Sequence, residues 1–546
     1  MLKVLRLLLP SVTLGAVMLA LFPAEGYAIP PFSRKYSTSC QTCHSVFPKL
    51  NDFGKAFKDA GFKFPTDDET FVKNPPVLLG SEASKDSFPK SVWPGEIPGM
   101  PPIGLRYNHF FQVTSNADKF NVLAPPGSVP GVIPTTDFQS GLFSIFTAGN
   151  LGSDIAFWVD DDISVAGDNS AGGLGDAYLK FVNIGRFLNI PKNGLALRAG
   201  QFELDLPFTQ ARSINLSPYD IYVQTNVGAT NPGVQPQHNV ANQLGLADAA
   251  KGIELSGGHL YGGYHYSFAI FDQNTTGVGQ SGNNNPYVPS ATGGANGGVG
   301  FASDSSTKNI YLRFSYRFNL EQDPKSRQEI QAAGPTGPRD HTYLSVGTFY
   351  LHGNSLQQLP GVLTDGTTST VLVNREPYYR VGGDFSFNYG TLNVYGLFMH
   401  AQDTNMLPVD VNGTPIPLPL GANSPLPAAF VQGASATFSG GFVQADYLML
   451  PWVMPIMRWD QVNSTADHVN GLTFATNTPY FAPYDTTRNR FTPGIQVLIH
   501  ANIKVSFEYQ IRPQQFATVT TLPSGAVIPG TPFRANTALF ALEFVY

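Results

Sequence analysis

Both cysteines of the 546-residue chain stand in one hexapeptide, Ser39-Cys40-Gln41-Thr42-Cys43-His44. A C-x-x-C-H run sets two thiols at the spacing of the two haem vinyl groups and puts the adjoining imidazole on the iron as proximal ligand. Other chemistries fit the run less well. A Cys40–Cys43 disulfide leaves His44 without a role. A zinc site needs two further ligands, and no Cys or His lies between His44 and His109. A thioredoxin-like dithiol needs a βαβ setting, which the flanking sequence lacks. Cys40, Cys43 and His44 are therefore the candidate attachment residues of one covalent haem c. Met100 is the only methionine between the motif and Met399, and its thioether, offered from a Pro-rich loop, could fill the sixth iron position. A linker methionine without a role and a five-coordinate iron are the alternatives.

The element upstream of the motif supplies the compartment such attachment needs. Lys3 and Arg6 precede an apolar run from Leu7 to Phe22, and Gly26-Tyr27-Ala28 sets small residues at −3 and −1. This is a secretory signal peptide, expected over residues 1–28. Past it no stretch of about 18 apolar residues remains, which excludes helical membrane spans. Charged residues make up 13% of the chain, half the usual share, while aromatics reach 12%. That apolar content excludes a disordered chain. The net charge of −6 gives no basic surface for nucleic acid.

Downstream of the motif, Phe47, Leu50, Phe53, Phe57 and Ala60 recur at spacings of three and four. With Pro48 in a first turn and Gly61 as a stop, the spacing predicts a helix over 48–60. Its apolar face could cover a porphyrin, or could pack on protein as any amphipathic helix does. Thr66 and Glu69 have the spacing of a capping box. Residues 74–102, with Pro75, Pro76, Pro89, Pro94, Pro98, Pro101 and Pro102, read as a linker or wrapping loop. The expected first domain is thus a small α-helical haem segment with its linker, 29–102.

The remainder, 103–546, reads as a second domain of about sixteen amphipathic strands. In 309–319, Ile310, Leu312, Phe314, Tyr316 and Phe318 share one face, opposite Tyr311, Arg313, Ser315 and Arg317. In 536–546, Phe540, Leu542, Phe544 and Tyr546 lie opposite Leu539, Ala541, Glu543 and Val545. One apolar face and one charged face suit a wall between lipid and a wet lumen. Connection lengths alternate as well. Long stretches near 116–137, 205–250, 273–307 and 403–436 alternate with turns at 150–152, 259–260, Gly390, Pro451 and 500–501, and only 320–341 breaks the rhythm. The expected fold class is mainly β, a transmembrane antiparallel β-barrel in the cell outer membrane with its long connections outside. Asp160 and Asp162 would then face the lumen near the outer rim and Asp161 the lipid side, an acidic mouth able to attract a cation.

Three stretches together carry a family resemblance: Ala28-Ile29-Pro30-Pro31-Phe32-Ser33-Arg34, the C-x-x-C-H run, and Phe47-Pro48-Lys49-Leu50-Asn51-Asp52-Phe53-Gly54-Lys55-Ala56-Phe57. They resemble the fused monohaem c-type cytochrome–porins of the bacterial outer membrane, of the type found in iron oxidisers. The resemblance implies electron transfer between an extracellular donor, Fe(II) first among them, and periplasmic c-type cytochromes or other carriers, with Fe(II) oxidation as the associated activity. It covers 28–64 in detail and the barrel only as architecture. Transfer outward to extracellular acceptors, and a solute channel whose haem is regulatory or structural, are the rival expectations. A haem enzyme ranks behind them for want of a distal acid–base group. Charge favours docking of the two parts: 29–63 carries a net +4 and the rest of the exported chain −11.

Overall fold

In the computed structural model the alternating segments close into one antiparallel barrel. The structure describes residues 31–65 and 68–73, the barrel strands with most of their short connections, and parts of the longer ones, including 203–209, 214–223, 406–414 and 426–433. The leader, Thr66, Met100 and most of the 74–102 linker lie outside the described residues. Within that linker, Val77–Leu78 pairs with Glu96–Ile97.

The barrel begins with β1 (Ile103–Thr114) and β2, which is broken into Thr136–Gln139 and Phe143–Leu151. Both pieces of β2 pair with β1. There follow β3 (Ile155–Ile163), β4 (Gly173–Phe181), β5 (Ala196–Phe202), β6 (Ala250–Gly258), β7 (Gly263–Asp272) and β8 (Asn309–Asn319). Next come β9 (Tyr343–Val362), β10 (Thr368–Tyr389), β11 (Leu392–Asp403) and β12 (Ala436–Tyr447). Last are β13 (Val453–Ser464), β14 (Thr487–His500), β15 (Ile503–Gln510) and β16 (Thr537–Val545). Each strand pairs with its sequence neighbour, and β16 returns to β1 with Thr537 opposite Thr114 and Val545 opposite Arg106. Closure leaves no edge strand, so the backbone groups of the wall are satisfied by their neighbours.

Side chains divide as the sequence period requires. On β8, Ile310, Leu312, Phe314, Tyr316 and Phe318 are exposed on the outer wall, while Tyr311 and Ser315 are buried inside. On β16, Leu542, Phe544 and Tyr546 face out, and Leu539, Ala541, Glu543 and Val545 face in. Short turns at 390–391 and 501–502, the two barrel termini and the 320–342 connection share one end, and the other long connections share the opposite one. Sixteen strands with an apolar outer wall make this an outer-membrane β-barrel.

The lumen is filled from two directions. Residues 31–65 form a plug at the short-turn end: α1 (Pro31–Tyr36), a 3-10 turn at Cys40–Thr42, a hairpin of His44–Val46 with Lys49–Leu50, and α2 (Asp52–Asp59). The expected 48–60 helix therefore starts four residues late. Pro48 lies in the hairpin turn, and Asn51 caps α2 by accepting from Gly54 N–H. From the other direction, the connection after β5 does not simply face outside as expected. Leu204, Leu206, Ile214, Tyr219, Ile221 and Tyr222 turn back into the lumen and are buried there.

Candidate functional site

The C-x-x-C-H run is shaped by short-range hydrogen bonds. Cys43 N–H donates to Cys40 C=O at 3.1 Å, so the four residues close one tight turn, and no disulfide joins the two cysteines. Asn51 clamps this turn from the next element. Its Nδ2 donates to the carbonyls of Gln41 and Thr42, each at 3.1 Å, and its backbone N–H donates to Cys43 C=O at 3.0 Å. A Cβ added at Gly54 would stand 2.0 Å from that same Cys43 oxygen, so α2 reaches the turn only because this residue has no side chain. Neither Asn51 nor Gly54 was singled out in the sequence reading. The N-cap preference for Asn was the available signal.

His44 Nδ1 lies 3.1 Å from Pro48 C=O. A carbonyl only accepts, so Nδ1 carries the proton and Nε2 keeps its lone pair. Burial pushes the imidazole down to about 4, with the Pro48 and Lys49 backbone opposing, and it is neutral near pH 7. Burial pushes the Cys43 thiol up to about 12, helped by Cys40, and raises Cys40 against a hydrogen bond from Ser33. A neutral imidazole whose far nitrogen is fixed by a carbonyl is oriented to bind iron through the near one. Two protonated thiols three residues apart, one turn away, complete a set that fits a covalently attached haem. A zinc site finds no such support, since no cluster of three or more His, Cys, Asp or Glu able to hold a metal occurs among the described residues.

The apolar residues expected to cover a porphyrin divide otherwise. Phe53 and Phe57 pack with Tyr36, Phe62 and Phe64 and against Ala148, Ala156 and Val182 of the barrel side. The face of α2 is thus the plug's own core, and the protein-packing alternative holds for it. Phe47 instead lies against His44, ring to ring at 5.3 Å, with the Arg106 guanidinium 6.0 Å and the Lys504 ammonium 5.8 Å from its ring.

Polar contacts fix the plug to the wall around the circumference. Lys49 Nζ meets Asp446 at 2.7 Å and Asn393 at 3.0 Å, and Lys504 Nζ donates to Phe47 C=O at 2.9 Å. Arg317 grips Asp52 through both oxygens, at 2.8 and 2.6 Å, while stacking 3.8 Å from the Tyr343 ring. Arg34 donates to Ile103 C=O at 2.6 Å, and Asn150 donates to Gly61 C=O. The expected attraction between a basic plug and an acidic barrel accounts for Lys49, whereas the Asp52 pair runs with opposite signs.

Beyond the plug, residues 214–223 are pinned by a buried charge network. Asp220 meets Arg490 at 3.0 Å and Arg512 at 3.2 Å, and its N–H donates to Asp460 at 3.1 Å. Arg458 Nη2 donates to Ser217 Oγ at 2.7 Å, and the Ser217 hydroxyl donates to Glu508 at 2.6 Å. Arg380, Arg458 and Arg490 on the inner wall are fully buried. The acidic run on β3 orients as expected: Asp160 and Asp162 face the lumen and Asp161 is exposed outside. Their oxygens are already engaged, Asp160 by the Trp158 indole and the Asp176 N–H, each at 2.8 Å, and Asp162 by the Ser144 hydroxyl.

No protein-family model and no curated protein matches the sequence. Among solved structures, the chain is similar to an anion-selective porin from Comamonas acidovorans, at 10% identity over 81% of this chain and 98% of that one, TM-score 0.42. It is also similar to the outer membrane channel DcaP of Acinetobacter baumannii, at 11% identity over 81% and 96%, TM-score 0.39. A third is Pseudomonas putida OprB, at 10% identity over 81% and 94%, TM-score 0.41. Likenesses this distant add nothing to what the barrel's own geometry establishes.

Proposed function

We propose that the protein conducts electrons across the outer membrane through one haem c, joined to Cys40 and Cys43 and ligated by His44. The supporting observation is the clamped C-x-x-C-H turn with a neutral, oriented His44, lodged in a barrel lumen. A bound haem would supply a one-electron carrier there. The chain's own residues would hold it: Asn51 and Gly54 fix the attachment turn, and Lys49, Asp52 and Phe47 tie that turn to the wall. Extracellular Fe(II) is the donor we favour, with a periplasmic c-type cytochrome or similar carrier as acceptor. Burial of Arg458 and Arg490 under the inward loop bears on this choice, because an electron needs no open water path through that layer and a solute does.

A second reading is a solute channel with a regulatory or structural haem. It draws on the sixteen-strand barrel, whose width leaves room for an aqueous path, and on its charged inner face. Vesicles containing the protein and trapped cytochrome c separate the two. The proposal expects the trapped cytochrome to be reduced by external Fe(II) while trapped small sugars stay inside. Escape of the sugars without reduction would establish the channel instead.

A further inference from the structure

The connection between β4 and β5 departs from the other short turns. Residues 184–188 form a 3-10 turn that ends at Asn189 in the left-handed conformation, φ 58°. Phe187 and Leu188 at its tip are 77% and 68% exposed. Phe187 is the most exposed large apolar side chain among the described residues. In water such a pair is unfavourable, so its surroundings need an account.

The path of the turn supplies one. Gly194 C=O accepts from the Tyr266 hydroxyl at 2.8 Å, and Asn193 C=O accepts from Gly258 N–H at 3.1 Å. Tyr266 shares its face of β7 with Tyr264 and Ile270, both exposed on the outer wall. Gly257 shares its face of β6 with the exposed Ile253, and a Cβ there would lie 2.1 Å from Gly194 C=O. The turn therefore folds outward over the lipid-facing wall, and the missing side chain of Gly257 makes room for it. The turn is also held firmly, with Ile190 N–H donating to Gly185 C=O at 2.9 Å and Arg186 paired with Asp154 at 2.8 Å. Arg186 stands 5.0 Å from the Phe187 ring, and Arg186 and Lys192 are exposed beside the apolar tip.

We propose that this turn is a membrane-interface anchor, with Phe187 and Leu188 inserted at the boundary of headgroups and acyl chains in the leaflet at the short-turn end. Arg186 and Lys192 lie level with the lipid phosphates. Continuity with the lipid-facing wall selects lipid over a protein partner as occupant. An apolar tip flanked by cations is the arrangement that binds such an interface.

The full-length protein in phosphatidylethanolamine–phosphatidylglycerol vesicles tests this. Phe187→Trp adds an indole to the parent emission, and Leu188→Trp repeats the measurement should the first variant fail to fold. The anchor expects the added emission to be quenched about threefold by lipids brominated high in the acyl chain and to be insensitive to aqueous iodide. Asn412→Trp, exposed in the hairpin that pairs Met406–Val409 with Ala429–Gln432 in the β11–β12 connection at the opposite end, should respond the other way. Iodide quenching of the added emission without bromolipid quenching, in folded protein, overturns the anchor and leaves the tip as a surface for a soluble partner.

Discussion

The plug and the barrel are two solutions to the same problem of holding polar backbone in a dry place. The barrel does it with a closed ladder in which every strand is paired on both sides and no single contact is decisive. The plug has only a two-residue pairing, three short helical turns and an aromatic core of Tyr36, Phe53, Phe57, Phe62 and Phe64. Its shape depends on a few specific bonds, chiefly those of Asn51, and on wall residues that grip it. The candidate haem residues lie in the fragile part and endurance in the other. Damage to the plug should then erase the site while leaving the barrel intact.

The largest expected effect tests that separation directly. Cys43→Ala and His44→Ala should each lower covalent haem by at least about tenfold, measured as pyridine haemochrome after acid–acetone extraction. The folded barrel should persist, seen as heat-modifiable mobility on gels. Haem that extracts freely from the parent protein would remove the attachment reading. Loss of the barrel in either variant would show instead that plug and wall fold as one unit.

The second comparison lies inside the lumen, between plug and inward loop. Asp220→Ala leaves Arg512, and Arg490 in part, buried without an acidic partner, a change that costs about 3–5 kcal/mol. The 214–223 segment should leave its seat, and single-channel conductance in planar bilayers should rise while haem content is unchanged. Conductance equal to that of the parent would mean that the plug alone closes the lumen.

How much of this was legible follows from the range of the forces involved. Each barrel strand announces itself locally, because β8 and β16 alternate residue by residue and the wall enforces that period. The proposed haem attachment would be local too, because the C-x-x-C-H run is written in five residues. What stayed hidden depends on distant partners. The β5 connection turns inward because Asp220 finds Arg490 and Arg512, and nothing near residue 220 indicates that. The periodicity from Phe47 to Ala60 was real at Phe53, Phe57 and Ala60, but it was extended backward across Pro48, where the hairpin competes. A reading that had weighed Asn51 as a cap would have placed the helix start correctly.

Gly54→Ala sharpens the contrast at smaller scale. The new methyl meets Cys43 C=O, which is backbone and cannot swing aside. Overpacking of this kind costs about 1–3 kcal/mol. Amides of 43–57 should exchange faster and protease should cut the plug sooner, with barrel melting unmoved. Protection equal to the parent would mean that α2 can slide away from the turn at little cost.

The smallest effect concerns Lys35, on the plug side of its contact with Asn150 at 2.9 Å. Burial pushes this ammonium down to about 8, against attraction from Asp68 and with repulsion from Lys63. The folded plug therefore binds fewer protons than the unfolded chain between about pH 8 and the ordinary lysine value near 10.5. Stability must rise with pH across that window, since the group's penalty is fully present below it and fades as the unfolded lysine also loses its proton. Water reaching a half-buried side chain reduces the effect to about 1 kcal/mol. Buried thiols and tyrosines titrate nearby with other signs, so the informative quantity is the difference between two profiles. Plug unfolding in urea, followed by amide protection at pH 7.5 and pH 10, should show the parent gaining on Lys35→Met as pH rises. Parallel profiles would place Lys35 in water, and the Asn150 contact would then be no part of what seats the plug.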